Sequence, residues 1–362
     1  MLVRWGVIGA GGIADRRTIP EGLVPARNAE LVAVCDADPQ RLAAVAAKYD
    51  AEPLGSCDGI LASNSIQAVY IASPTHLHRD HVLAAARAGK HVLCEKPLAR
   101  TVAECEEVVA ACADAGVKLG VNFMMRFHAC HRRLAEMVAQ GDLGTLVFGR
   151  AELTCWYPPI PGAFRQDPAL GGGGALADMG NHCLDVLEMF FGRTVEVSAK
   201  IGNLVQDYAS EDTAVCLLRF ESGALGVIDA LFNVPDAAAR NALEVYGSKG
   251  SVVSFGTIGQ DSGGELRAVL EKGDQAYDAS QVRDAASPEE TLRPEPTNIY
   301  RAHIEAFSHA ILTDAPPPIP GEDGLWNHRV VEACYEAART AATVALTLPG
   351  SAGGHAGRGG VP

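Results

Sequence analysis

The sequence predicts an α/β protein of two domains: a parallel sheet wrapped by helices, then an α+β half built on an open, mostly antiparallel sheet. Three observations carry this. The first third alternates short β-rich runs with Ala- and Leu-rich helical stretches, and after about residue 140 strands succeed one another through short turns. The 362 residues, 48% of them apolar and 20% charged, also exceed what one small core needs.

In chain order, Val3 to Gly9, Glu30 to Asp36, Ala68 to Ala72, His91 to Cys94 and Lys118 to Phe123 read as strands. Pro39 to Lys48, His78 to Ala88 and Val102 to Ala115 read as the crossover helices of βαβ units, which place strands in parallel with helices on both faces. Gly89 and Gly116 stand just past two of these helices, where a C-terminal cap favours a residue tolerant of positive φ. The second half offers strands at Thr145 to Thr154, Thr194 to Ile201, Asp212 to Phe220, Ala224 to Phe232, Ala242 to Tyr246 and Leu266 to Glu271. Helical stretches run over Asp178 to Phe190, Thr297 to Leu312 and Gly324 to Leu346. The expected division is 1–121, 122–348 and a Gly-rich, disordered tail over 349–362.

Composition narrows the partners. With 30 basic against 44 acidic side chains, a net charge of −14, the chain has no general pull toward nucleic acid or anionic lipid. The opening Met1 to Gly9 is too short for a signal segment, and no later run reaches the roughly 18 to 20 apolar residues of a spanning helix, so a cytoplasmic protein is expected. The 10 cysteines include no C-x-x-C, and Cys35, Cys94 and Cys216 sit in apolar runs, as buried hydrophobes of a reducing compartment do. The histidines His76, His78 and His81 cluster without the further ligands a zinc site needs, and no metal is expected.

Gly9-Ala10-Gly11-Gly12-Ile13-Ala14 follows the first strand and opens a helical stretch, giving G-x-G-x-x-A. Glycine is needed where the chain turns sharply and its N–H groups approach a pyrophosphate at a helix N-terminus, the signature of a Rossmann dinucleotide site. Asp36 ends the second strand, where a carboxylate accepts from the ribose hydroxyls and repels a 2′-phosphate. NAD is therefore favoured over NADP, with Arg41 as the residue able to neutralise a phosphate.

Three further segments, Ser73-Pro74-Thr75-His76-Leu77-His78, Ala88 to Ala99 with its Glu95-Lys96-Pro97, and Gly172 to Asp185 with Asp178-x-Gly180-x-His182-x-x-Asp185, complete a pattern. The chain from residue 3 to 347 resembles the glucose-fructose oxidoreductase, inositol dehydrogenase and rhizopine-catabolism (Gfo/Idh/MocA) family. The resemblance implies NAD(P)-dependent oxidation or reduction of sugars, polyols and related alcohols, and a homodimer or homotetramer joined through the open sheet. With it, Gly9, Gly11, Gly12, Ile13, Asp36, Arg41, Ser73, Pro74, His78, Glu95 and Lys96 are expected at the cofactor.

Oxidising a secondary alcohol requires a base for the O–H proton and positive charge for the developing alkoxide. Lys96, past the fourth strand, and His182 fit these roles, and in the family the matching residues contact the reacting hydroxyl. Asp178 lies four residues before His182 in a helical segment, so the pair is expected in contact, the carboxylate orienting the imidazole. Asp185 reads equally as a substrate contact, an outer support or a helix-surface charge. Arg126, Trp156 and Arg165 make up an expected substrate shell, aromatic faces and donors suited to a sugar. The same residues serve reduction of a keto sugar, and loss of the catalytic set would leave a non-catalytic dinucleotide sensor.

Overall fold

The computed structural model describes residues 1–271 and 288–349. The expected tail beyond Pro349 lies outside the described residues. The first half builds β1 (Val3–Ile8), β2 (Ala29–Cys35), β3 (Glu52–Pro53), β4 (Ala68–Ile71), β5 (His91–Cys94) and β6 (Leu119–Val121) into a parallel sheet ordered β3-β2-β1-β4-β5-β6. The order reverses between β1 and β4, which opens the crevice where such sheets bind ligands. All four residues of β4, Ala68-Val69-Tyr70-Ile71, are buried, as a strand covered on both faces requires.

The crossover helices are α1 (Pro39–Tyr49), α2 (Cys57–Ala62), α3 (His78–Arg87) and α4 (Val102–Asp114). Their starts follow local chemistry: the Asp38 carboxylate accepts from the N–H groups of Gln40 and Arg41, and Thr101 accepts from Glu104 N–H. Gly89 and Gly116 carry the expected positive φ of +67° and +64°. The stretch after the glycine turn, Ala14–Leu23, winds in wide π-type turns, with Val24 N–H reaching back five residues to Ile19 O.

A short connecting helix α5 (Ala129–Gln140) follows β6, started by His128, whose ring accepts from Cys130 N–H. Its polar residues mask a stripe of Cys130, Leu134 and Met137 that is buried at helical spacing. The second sheet comprises β7 (Leu146–Thr154), β8 (Thr194–Gly202), β9 (Thr213–Phe220), β10 (Leu225–Leu231), β11 (Leu243–Gly247), β12 (Gly250–Phe255), β13 (Glu265–Leu270), β14 (Glu290–Leu292) and β15 (Val344–Ala345). Its order is β14-β13-β12-β11-β7-β10-β9-β8-β15, antiparallel except for β7 beside β10. One face is covered by α7 (Asn181–Phe191), which follows the one-turn α6 (Pro168–Gly171). Phe191 presses so closely on β7 that a Cβ at Gly149 would lie 2.4 Å from its ring.

Two late helices, α8 (Ile299–Leu312) and α9 (Gly321–Thr340), return to the first sheet. Phe307 and Ile304 of α8 join the core of Trp5, Val34 and Leu93, and Trp5 Nε1 donates to Ser308 Oγ at 3.1 Å. The helix expected over Gly324 to Leu346 is corrected at its end. Ala341 takes a left-handed φ of +53° and the chain then pairs as β15 along β8, because the β-rich Thr343 to Leu346 gains more from the sheet edge than from another helical turn.

Candidate active site

A cavity of about 490 Å³ opens between the C-terminal ends of the parallel strands and the second sheet. Its walls include Gly12, Ile13, Ser73, His78, Glu95, Lys96, Arg165, Asp178 and His182, so the glycine turn, the strand-end lysine and the histidine, far apart in sequence, meet in one space. No helix among the described residues is long and apolar enough to cross a membrane.

The glycine end is built from β1 and β2. Gly9 turns at φ +86°, and a Cβ there would meet Ser73 N at 2.5 Å. The N–H groups of Gly9 and Ala10 both donate to the Cys35 carbonyl, at 2.9 and 3.1 Å, which ties the turn to the end of β2. Asp36, 9% exposed, accepts from Gly11 N–H at 3.0 Å, Asp38 N–H at 2.9 Å and Arg41 Nη1 at 3.2 Å. Gly9, Gly11, Asp36 and Arg41 therefore shape the turn, and neither they nor Pro74 line the cavity. Gly12 does line it, and a Cβ on Gly12 would meet nothing within 4 Å, so its backbone is open to an anion. An open glycine backbone before a helix, with a carboxylate at the end of β2, fits a nicotinamide dinucleotide.

The next wall rests on buried polar chemistry. Glu95 accepts from Tyr70 OH, from Asn122 Nδ2 at 2.6 Å and from Lys96 N–H at 3.2 Å, and Asn122 Oδ1 in turn meets His303 Nδ1 of α8 at 2.8 Å. His78 bridges Ser73 O and Pro97 O, at 2.8 and 2.9 Å, and burial pushes its pKa down to about 4. Nothing in the sequence flagged Asn122 or His303, because these two partners lie 181 residues apart along the chain.

Lys96 Nζ donates to Asp178 O at 2.6 Å and to Asp178 Oδ1 at 2.7 Å, and Arg165 Nε donates to the same Oδ1 at 2.8 Å. Burial pushes the Asp178 carboxyl up, but Arg165 and then Lys96 outweigh it and hold its pKa well below the ordinary 3.8. A carboxylate depressed in the fold contributes stability above its unfolded pKa, and that contribution disappears as pH falls through the folded value. Asp178→Asn is expected to lower stability by on the order of 2 kcal/mol between about pH 5 and 8, with the gap narrowing progressively as pH falls below about 4 toward the folded value, read from chemical denaturation across pH. A gap that widens in acid would contradict this account.

The expected contact between Asp178 and His182 is not made. Asp178 is claimed by the two cations, and His182 Nδ1 is buried with no hydrogen-bond partner among the described residues. The local winding explains it: Leu176–Gly180 is a π turn, with Asn181 N–H bonded five residues back to Leu176 O, so residues four apart are not stacked as on an α-helix. His182 packs edge-on to Phe123, ring centroids 6.0 Å apart, and burial followed by the charge of Lys96 holds its pKa well below 6.5 against the opposing pull of Asp178.

Two other expectations are corrected. Arg126 does not reach the cavity: its guanidinium is spent on Asp185, through Nε at 3.0 Å to both carboxylate oxygens, and on Asp323 through Nη1 at 2.7 Å. Asp185 accordingly is a buried partner rather than a surface or substrate-facing charge. Trp156 is 43% exposed with its ring outside the cavity: its main-chain N–H donates to Asp236 at 2.9 Å, and it is the next residue, Tyr157, that lines the cavity. The glycine run Gly171 to Gly174 faces protein: a Cβ on Gly174 would lie 2.0 Å from Glu211 O, and the Glu211 carboxylate accepts from Gly174 and Leu176 N–H at 2.8 and 2.9 Å.

A parallel sheet with an open glycine turn, joined to a second sheet that brings Arg165, Asp178 and His182 to Lys96, defines an NAD(P)-binding oxidoreductase of the Rossmann type. Residues 3–123 match the model described as "Oxidoreductase family, NAD-binding Rossmann fold" and residues 131–253 that of the GFO/IDH/MocA C-terminal domain. The chain belongs to the Gfo/Idh/MocA oxidoreductase family. It is 31% identical to the 1,5-anhydro-D-fructose reductase of Ensifer adhaerens, over 93% of this chain and 96% of that one. It is 32% identical to the D-xylose 1-dehydrogenase (NADP(+)) 2 of Haloferax volcanii, over 94% and 99%. The solved structure of the aldose-aldose oxidoreductase from Caulobacter crescentus complexed with glycerol superposes with a TM-score of 0.85 at 30% identity, covering 96% of this chain and 100% of that one.

Proposed function

We propose that the protein moves a hydride between nicotinamide and a secondary hydroxyl of a sugar, polyol or sugar derivative, with Lys96 and His182 as the groups that handle the hydroxyl. One observation carries this. Lys96 Nζ has three N–H donors and spends two on Asp178, which leaves the third for an oxygen in the cavity beside His182. The nicotinamide, when bound, supplies the acceptor or donor of the hydride. Lys96 stabilises negative charge on the reacting oxygen, held in place by Asp178 and through it by Arg165. His182, kept neutral by burial, takes the hydroxyl proton in oxidation and returns it in reduction. Tyr157, Phe164 and Phe232 offer apolar faces to sugar C–H groups, while Asn241 and Gln260 offer polar ones to its hydroxyls.

Asp36 and the engagement of Arg41 with Asp36 and Asp38 support NAD in preference to NADP, with residues 1–121 as the dinucleotide-binding part and 122–348 as the substrate part. Val215 and Leu217 of β9 and Leu225 of β10 are 38, 57 and 47% exposed on the uncovered sheet face, which supports a homodimer or homotetramer, to be read by light scattering.

The test is a panel of inositols, aldoses and glycosides with NAD and NADP, followed through absorbance of the reduced cofactor. Turnover with NAD at the higher kcat/KM is expected. The acid limb of kcat/KM belongs below pH 6.5, since the buried imidazole titrates lower than a free one. Undiminished turnover in His182→Ala would exclude the role given to His182.

A further inference from the structure

The sequence treats Cys35 as a buried hydrophobe, but the fold gives it a companion. Cys35 closes β2, and Cys57 opens α2 with its sulfur 3.8 Å away. His81 of α3 completes the group: Nε2 lies 3.5 Å from Cys57 Sγ and Nδ1 lies 2.9 Å from Ser73 Oγ. If Ser73 donates to Nδ1, Nε2–H points at Cys57, so that thiol faces both a neighbouring S–H and an imidazole N–H. The hydrogen bond from Cys35, then that from His81, draw the Cys57 thiol below its ordinary range, against burial and the nearby Asp58 carboxylate. Cys35 moves the other way, pushed up by the same contact, by burial and by Asp36. Cys57 is half-buried, whereas Cys35 and most of the other cysteines are buried.

We propose that Cys35 and Cys57 are an oxidative modification site, a dithiol that a hydroperoxide closes to a disulfide. The Cys57 thiolate attacks the terminal peroxide oxygen: an S–O bond forms, the O–O bond breaks, sulfur loses two electrons and the departing oxygen takes a proton and leaves as water, or as the alcohol where the hydroperoxide is organic. Cys35 then gives up its proton and attacks the sulfenic sulfur: an S–S bond forms, the S–O bond breaks and hydroxide leaves with that proton as a second water. Closing to the roughly 2.05 Å of a disulfide requires the sulfurs to approach by about 1.7 Å.

The movement falls on the cofactor cradle. The Cys35 carbonyl holds the Gly9 and Ala10 N–H groups, the next residue, Asp36, holds Gly11, and Ser73, bonded to His81, lines the cavity. Oxidation therefore weakens dinucleotide binding. This consequence rests on the dinucleotide site and not on the substrate or on Lys96 and His182, and its readouts do not require turnover.

The experiment treats the reduced full-length protein with hydrogen peroxide, maps its peptides by mass spectrometry and titrates NADH by fluorescence. A Cys35–Cys57 linked peptide, NADH affinity lower by about tenfold and recovery of affinity with dithiothreitol are expected. Cys57→Ser should keep its NADH affinity through peroxide treatment, and Cys35→Ser should stop at a sulfenic acid on Cys57 that dimedone traps. Oxidation confined to Cys155 in the cavity wall, a disulfide that leaves NADH affinity unchanged, or equal loss of affinity in Cys57→Ser would each overturn the proposal.

Discussion

Replacing Lys96 by alanine is expected to lower kcat by about three orders of magnitude while leaving NADH affinity within a few-fold of the parent. The size follows from what the ammonium does: its side chain is 11% exposed, so charge developing on a substrate oxygen beside it is poorly screened by water. Most of the cofactor cradle, from Gly9 to Asp36, is built without it. Asp178 keeps Arg165 as a partner when Lys96 is removed, so the fold loses one ion pair and not the whole cluster. Lys96→Arg should recover little, because a planar guanidinium cannot reproduce a compact donor held on both the main-chain oxygen and the carboxylate of Asp178. Steady-state rates alongside NADH titration decide the matter: a variant retaining a tenth of the parent kcat would remove Lys96 from the chemistry.

Arg126→Ala is expected to be the most damaging single change to stability outside the cavity, at about 3–5 kcal/mol. Arg126 links the end of β6 to α7 and α9 through Asp185 and Asp323, and Arg193 continues the network to Glu188 and Asp323. Removing it leaves the Asp185 carboxylate buried with no cation. Even with Arg126 present, burial raises the Asp185 pKa to about 6, despite the opposing pull of that guanidinium. Without Arg126 the folded state holds the proton more tightly still. A raised folded pKa means that stability falls as pH rises from the unfolded value through the folded one, so the loss should be greater at pH 8 than at pH 5. Thermal unfolding should show a drop of roughly 10 °C near neutral pH. The double change Arg126→Met with Asp185→Leu should regain much of it, since an apolar pair leaves no charge to desolvate. A drop that does not depend on pH would assign the cost to lost packing.

How much of this was legible in the chain depends on the range over which each feature acts. The strands β1, β2, β4 and β5, the caps at Gly89 and Gly116 and the G-x-G-x-x-A turn are products of a few consecutive residues, and the sequence shows them within a residue or two. The short α2 was not visible because six residues with a central glycine carry no full helical period. At the site, Lys96, Asp178, His182 and Arg165 were all named from sequence and all line one cavity. Their connections were not: i,i+4 spacing joined Asp178 to His182, whereas the π turn and two competing cations joined it to Lys96 and Arg165.

The sequence by itself determined the class of fold, the dinucleotide turn, the Asp36 carboxylate behind it and the titratable residues that come to line the cavity, because these follow from backbone sterics and side-chain chemistry at short spacing. Only the tertiary structure decided their partners. It turned Arg126 from a substrate ligand into the counter-charge of Asp185, packed the glycine run on Glu211 and brought Cys57 to Cys35. Each is a choice among several possible contacts made at sequence separations of 22 residues or more, and burial, through the cost of leaving a charge or polar group unpaired, selects the one that forms.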